Sequence, residues 1–150
     1  TQIASGLAAI VFTILAALAG DWFGRRWSYF ILCLTAFLSA LAFFQLNDRF
    51  DARFLTGVFL AGGFTASFYG WLPLYLPELF PTRVRAFGQG FAFNFGRILA
   101  AIGALQFSYL TKVVFPDGIP QACTVLSCVY VLGMIVIWFA PETKGQPLPE

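Results

Sequence analysis

The chain has 150 residues, 59% of them hydrophobic and only 11% charged, with nineteen phenylalanines and a formal net charge of +2. A soluble domain carries about 25% charged residues and about 45–50% apolar ones, so this chain has too few ionic groups to cover a surface facing water. The composition points to a membrane protein, and without a basic tract or a stacking platform it excludes a nucleic-acid partner.

The chain begins at Thr1 rather than Met, and no basic segment precedes the first apolar stretch. That start does not fit a cleavable signal peptide and reads as an interior cut in something longer. In chain order, residues 3–19 are apolar and end at GDWFGRR. Residues 27–46 follow and close at NDRFDAR, and residues 54–76 end in PELFPTRVR. A fourth run, 87–111, contains Arg97, and a fifth, 122–140, precedes the tail PETKGQPLPE at 141–150. Each run approaches the roughly 20 residues that cross a 30 Å hydrocarbon core as a helix. Helices also pair their backbone groups within one segment, as lipid requires, and the alternation of barrel strands is absent. The expected fold is an all-α membrane protein with five transmembrane helices.

Lys and Arg set the orientation. The first and third loops and the tail hold Arg25, Arg26, Arg83, Arg85 and Lys144, whereas the second and fourth hold Arg49, Arg53 and Lys112. Asp48 and Asp51 offset the arginines of the second loop. The first and third loops and the tail are therefore placed in the cytoplasm, with the amino terminus outside and the carboxy terminus inside. Gly62, Ala66 and Gly70 recur every four residues along the third helix, and Gly96, Ala100 and Ala104 along the fourth. Such stripes let helix backbones approach, and both are assigned to bundle packing. Pro73 and Pro77 each remove an internal hydrogen bond, with a kink expected at the first and the helix end at the second.

Cofactor and metal chemistry find no donors. There is no His, and Cys33, Cys123 and Cys128 all lie in apolar runs without CxxC spacing. Their odd number argues against a full disulfide framework, and small apolar packing is the expected role. Arg97 is the exception to the apolar pattern. In FAFNFGRILAA, residues 91–101, it lies about 15 Å along a helix entering at Phe87, close to mid-membrane. A central Arg costs about 2.5–3.5 kcal/mol or more, so it should face a polar cavity or a partner. Asn94, one turn earlier, shares its side of the helix. Two readings stand at this stage: a substrate contact through a guanidinium suited to carboxylates, or a cation that snorkels or pairs elsewhere.

Three loop segments carry a family resemblance. GDWFGRR, through Asp21, Gly24, Arg25 and Arg26, resembles the loop signature of the major facilitator superfamily. PELFPTRVRAFG, residues 77–88, resembles that family's turn between its tenth and eleventh helices. PETKG, residues 141–145, is similar to the motif after the twelfth helix in many sugar and organic-acid porters. The resemblance covers the whole chain and implies helices eight to twelve of a twelve-helix transporter, a partial carboxy-terminal domain whose partner would be the missing amino-terminal half.

The resemblance implies further expectations. Asp21, Gly24, Arg25, Arg26, Glu78, Arg83, Arg85 and Glu142 would form a cytoplasmic gating network that favours one access state. Gly96-Arg97 looks like the Gly-Arg pair of metabolite:proton symporters. The chain reads GFTASFYGWLPLYLPE where sugar porters usually carry Gly-Pro-x-x-Pro-Trp, which favours a small organic anion over a sugar or polyol. Arg97, Asn94, Tyr69 and Trp71 are the candidate substrate-binding residues. The expected partners are the lipid bilayer of the cell membrane, the solute and protons. A membrane-embedded enzyme would need clustered acids, His or an activated nucleophile, and none is visible. A structural subunit would leave three ordered motifs without a reason.

Overall fold

The computed structural model describes residues 2–46, 51–116 and 118–150. Helix α1 spans Gln2–Phe23 and α2 spans Arg25–Leu46. Helices α3 (Ala52–Ala66) and α4 (Phe68–Leu79) run almost end to end. Helix α5 (Arg85–Tyr109) continues into a π turn, Leu110–Val114, and α6 (Ile119–Ser127) leads into α7 (Val129–Val136) and a final 3₁₀ turn, Ile137–Phe139. Together they make five apolar helical spans, with α3–α4, α5 plus its π turn, and α6–α7 as the third, fourth and fifth. No strand occurs among the described residues.

Local chemistry explains the boundaries. The expected polar loop after the first span shrinks to one residue, Gly24, whose φ of +90° lies in the left-handed region open to glycine. Helices run through Asp21 and Arg25 because these charges pair with each other across the turn. Helix α3 starts at Asp51, whose carboxylate accepts the Phe54 N–H at 3.0 Å as an N-cap. Between α3 and α4, Ser67 keeps helical angles, and its N–H and hydroxyl both donate to Gly63 O at 3.0 Å. Pro77 does not end the helix, contrary to expectation: α4 contains both Pro73 and Pro77 and reaches Leu79. The stop comes from Phe80, which is extended because a residue before proline, here Pro81, avoids the helical region.

The small-residue stripe of α3–α4 packs on α1. A side-chain carbon added at Gly62 would meet Ser5, at Gly63 Phe12, and at Gly70 the Thr13 carbonyl only 2.1 Å away. Ala8, Ala16 and Ala36 are buried for the same reason, since close helices leave room for little more than a methyl group. Trp71 and Tyr75 fill the wider end of the bundle, against Tyr29 at 4.6 Å and each other at 4.7 Å. The large exposed side chains are overwhelmingly apolar, including Ile3, Leu7, Ile14, Leu38, Phe95 and Leu132. A bilayer, unlike water, accepts such a surface.

Helix α5 has few neighbours among the described residues. It meets α4, α6 and, through Arg85, the tail at Pro149, and none of its most apolar stretch is buried. Gly96 has nothing within 4 Å of its missing side chain. Gly96, Ala100 and Gly103 line an open groove of about 1260 Å³ facing Val125, Val129 and Leu132 of α6 and α7. The same spacing of small residues thus packs in one span and stays uncovered in another, because a stripe permits close approach without supplying the opposing helix. Asp48 and Arg49, which entered the reading of orientation, lie outside the described residues.

Candidate functional site

The ends of α1, α2, α4 and the tail meet around one buried cation. Arg25 is 7% exposed and heads α2 directly after Gly24. Its Nε donates to Glu78 Oε2 at 2.9 Å and its Nη2 to Glu78 Oε1, the two-pronged fit of guanidinium to carboxylate. Its Nη1 donates to Asp21 Oδ1 at 3.0 Å and to the Gly20 carbonyl at 2.8 Å. A buried Arg is tolerable only when its donors are used, and here Nε and both terminal nitrogens are. Thr143 adds a hydroxyl bond to Glu78 Oε2, locking the carboxylate from its other side.

Glu142 performs a different task. Its carboxylate accepts the backbone N–H of Arg25 at 2.8 Å and of Arg26 at 3.0 Å. These are the first two amides of α2, which have no partner inside the helix, and a negative charge there also complements the helix dipole. The carboxylate comes so close because Gly24 has no side chain: a carbon there would lie 3.2 Å from Glu142 Oε2. Burial pushes the Glu142 carboxyl upward, but the amides of Arg25, Arg26 and Lys144 outweigh it and hold the group below its ordinary value.

The opposite helix polarity is met at the end of α1. Lys144 Nζ donates to Trp22 O at 2.6 Å, Arg25 to Gly20 O, and Ser28 Oγ to Ala19 O at 2.7 Å. Cations at a helix C-terminus are the favourable arrangement. Arg26 Nε caps the last 3₁₀ turn through Ala140 O at 2.7 Å, and Tyr75 OH reaches Pro141 O at 2.8 Å. The tail is therefore stitched to α1, α2 and α4 residue by residue.

The structure brings together Asp21, Gly24, Arg25, Arg26, Glu78 and Glu142, six of the eight residues expected there. Arg85 is held separately. It donates to the carbonyls of Pro77 (3.1 Å), Phe80 (3.3 Å) and Pro149 (3.0 Å) and pairs with no carboxylate among the described residues. The reason lies in the chain: Pro81 has no N–H for the Pro77 carbonyl, so the guanidinium satisfies it. Arg83 is exposed and makes no hydrogen bond or ion pair among the described residues. Sequence reasoning missed Thr143 and Ser28, whose hydroxyls carry no charge signal, and the Tyr75 hydroxyl that fastens the tail.

The four expected substrate residues do not form one cluster. Arg97 and Asn94 share one exposed face of α5, where the Arg97 guanidinium lies 5.1 Å above the Phe93 ring. Asn94 donates its amide to Gly90 O at 2.8 Å, one turn back on its own helix. Tyr69 is 65% exposed on α4, and no hydrogen bond or ring contact joins it to α5 among the described residues. Trp71 is only 2% exposed and packs in the core of these spans rather than beside the other three. Its indole Nε1 is buried with no hydrogen-bond partner among the described residues.

Comparison with known proteins gives a match over residues 1–150 to the family model described as "Sugar (and other) transporter". A Haemophilus influenzae protein named as a metabolite transport protein is 32% identical over 96% of this chain and 36% of its own length. Human solute carrier family 22 member 10 is 28% identical over 99% of this chain and 27% of its own. A Cupriavidus pinatubonensis protein named as a 4-methylmuconolactone transporter is 29% identical over 89% of this chain and 30% of its own. The chain spans about a third or less of each of these relatives.

Proposed function

The chain belongs to the sugar (and other) transporter family of the major facilitator superfamily, and from that membership we propose that it is part of a secondary active transporter taking up a small organic anion with protons. Its five spans form most of one half of a twelve-helix fold, and a second half of the same transporter completes it. Substrate binds near the membrane midplane between the halves, and rocking exposes the site alternately to each side. The amino terminus lies outside the cell membrane. The Arg25 network and the tail lie in the cytoplasm, where the ionic contacts favour one access state.

The observation that carries the anion reading is Arg97. Helix α5 starts at Arg85, so Arg97 is twelve residues in, about 18 Å along a helix that crosses about 30 Å of hydrocarbon. It is exposed and has no carboxylate partner among the described residues. A guanidinium in that position meets a carboxylate in two-pronged geometry, with Asn94 beside it. The middles of the five spans hold no Asp or Glu, so the proton carrier is assigned to the other half. The relatives named for a metabolite and for 4-methylmuconolactone support small organic solutes.

A sugar or polyol remains the second reading, favoured by the match to a family model named for sugar transport. Uptake into vesicles by the full-length transporter, comparing labelled carboxylates with hexoses, separates the two. Carboxylate uptake that falls sharply in Arg97→Gln at equal protein level is the expected result. Hexose uptake untouched by that substitution sinks the anion reading.

A further inference from the structure

At the end of the bundle opposite the Arg25 network, α2 and α3 diverge and leave a groove of about 610 Å³. Ser39, Ala42 and Phe43 form one wall, Thr56 and Leu60 the other, and Arg53 stands at its mouth. We propose that this groove is a binding site for an anionic phospholipid, the phosphate held by Arg53 and one acyl chain lying between α2 and α3. This goes beyond the transport reading and needs the chain to span a bilayer and the second half of the transporter to leave this groove facing lipid.

Shape and chemistry agree on an amphiphile. From Arg53 to Leu60 the groove descends seven residues, about 10 Å along the helix, which is roughly two-thirds of one leaflet of a 30 Å core. A soluble anion has no use for such a trough, and a transmembrane helix needs one that continues across the whole bilayer. The walls make no polar demand: Ser39 Oγ donates to Ala36 O at 3.0 Å and Thr56 Oγ1 to Ala52 O at 2.9 Å. Apolar walls under a charged mouth match a lipid standing parallel to the helices.

Arg53 itself is otherwise unexplained. It makes no hydrogen bond or ion pair among the described residues, where the ion pairs are those of Arg25 with Asp21 and Glu78. It stands in the first turn of α3, the end at which the helix dipole disfavours a cation. The nearest acid on its own helix, Asp51, is turned to the Phe54 amide as an N-cap. A phosphate at this point would offset both the lone cation and the exposed amides of the first turn.

The test uses the intact transporter in vesicles containing phosphatidylglycerol or phosphatidylcholine that carries a photoactivatable acyl chain. Labelled residues are then mapped by mass spectrometry. Phosphatidylglycerol should label Ala42, Phe43 and Leu60 above the surrounding lipid-facing residues, and phosphatidylcholine should not. Arg53→Gln should lower that labelling about fivefold, the factor one surface cation contributes toward anionic lipid. Arg53→Lys should keep most of it, and Ala42→Phe should lower it by filling the trough. Labelling elsewhere on the bundle reports that each variant is folded. Equal labelling by the two lipids, no change in Arg53→Gln, or equal loss in Arg53→Lys and Arg53→Gln overturns the proposal.

Discussion

The two acids on Arg25 should differ in strength, and a double-mutant cycle measures the difference. The Arg25 side chain is 8% exposed, Glu78 17% and Asp21 57%. Breaking a buried pair by removing one partner costs about 3–5 kcal/mol. Glu78→Gln should fall below that range, at about 2–3 kcal/mol, because Gly20 O and Asp21 still receive one guanidinium nitrogen. Asp21 offers one 3.0 Å contact from an exposed position, where ion pairs are worth about 0–1 kcal/mol. The coupling of Arg25→Gln with Glu78→Gln should therefore reach about 2 kcal/mol, a factor of about thirty, and that with Asp21→Asn should stay below 1. Equilibrium unfolding of the transporter in mixed micelles gives both couplings. If the network also biases access, Glu78→Gln should shift that equilibrium further than Asp21→Asn does. A coupling to Asp21 equal to or larger than that to Glu78 refutes the reasoning.

Gly24→Ala should lower the unfolding free energy by about 1–2 kcal/mol, since a left-handed backbone strains any side chain and the added methyl also crowds Glu142. Gly70→Ala should destabilise by about 1–3 kcal/mol by forcing α4 off the Thr13 carbonyl, whereas Gly96→Ala, with open space around it, should change the midpoint little. Glu142 sits below its ordinary carboxyl value when folded, so its contribution is complete above the usual carboxylate range and is lost as pH falls through that depressed value. The gap in melting temperature between the native protein and Glu142→Gln should accordingly be constant near neutrality and close in acid; a gap that widens in acid would contradict the assignment.

The spans were legible because lipid constrains composition over twenty residues at a time, and a single residue cannot disguise that signal. The meeting of three distant motifs was expected from the family resemblance, and the charges supply a physical reason for it. Asp21, Glu78 and Glu142 are acids at span ends, where a charge needs a partner, and Arg25 and Arg26 stand beside them. What composition does not encode is which partner each charge takes. Arg83 and Arg85 are two residues apart, yet one is exposed and the other satisfies, among others, the Pro77 carbonyl that Pro81 leaves without a donor. That outcome depends on the missing N–H of Pro81, a backbone fact that charge counting overlooks. Thr143 was illegible for the opposite reason, since a threonine after an acid has many uses and only the approach of Glu78 selects one.

The two small-residue stripes make the same point about α5, and they bear on Arg97. Gly62, Ala66 and Gly70 meet a helix, while Gly96, Ala100 and Ala104 recur at the same spacing on a helix that is largely uncovered. A single-helix pattern specifies a face, and only a second helix turns the face into an interface. Arg97 is left with the Phe93 ring, a cation–π contact worth about 0.5–1 kcal/mol at an exposed site. A central Arg in hydrocarbon costs about 2.5–3.5 kcal/mol or more, so that ring offsets a minor part of it. If Arg97 lies at that depth, the remainder would come from water, from an anion at the guanidinium, or from a side chain of the second half. A substrate pathway would supply the first two, and the loss of carboxylate uptake in Arg97→Gln is the outcome that favours it.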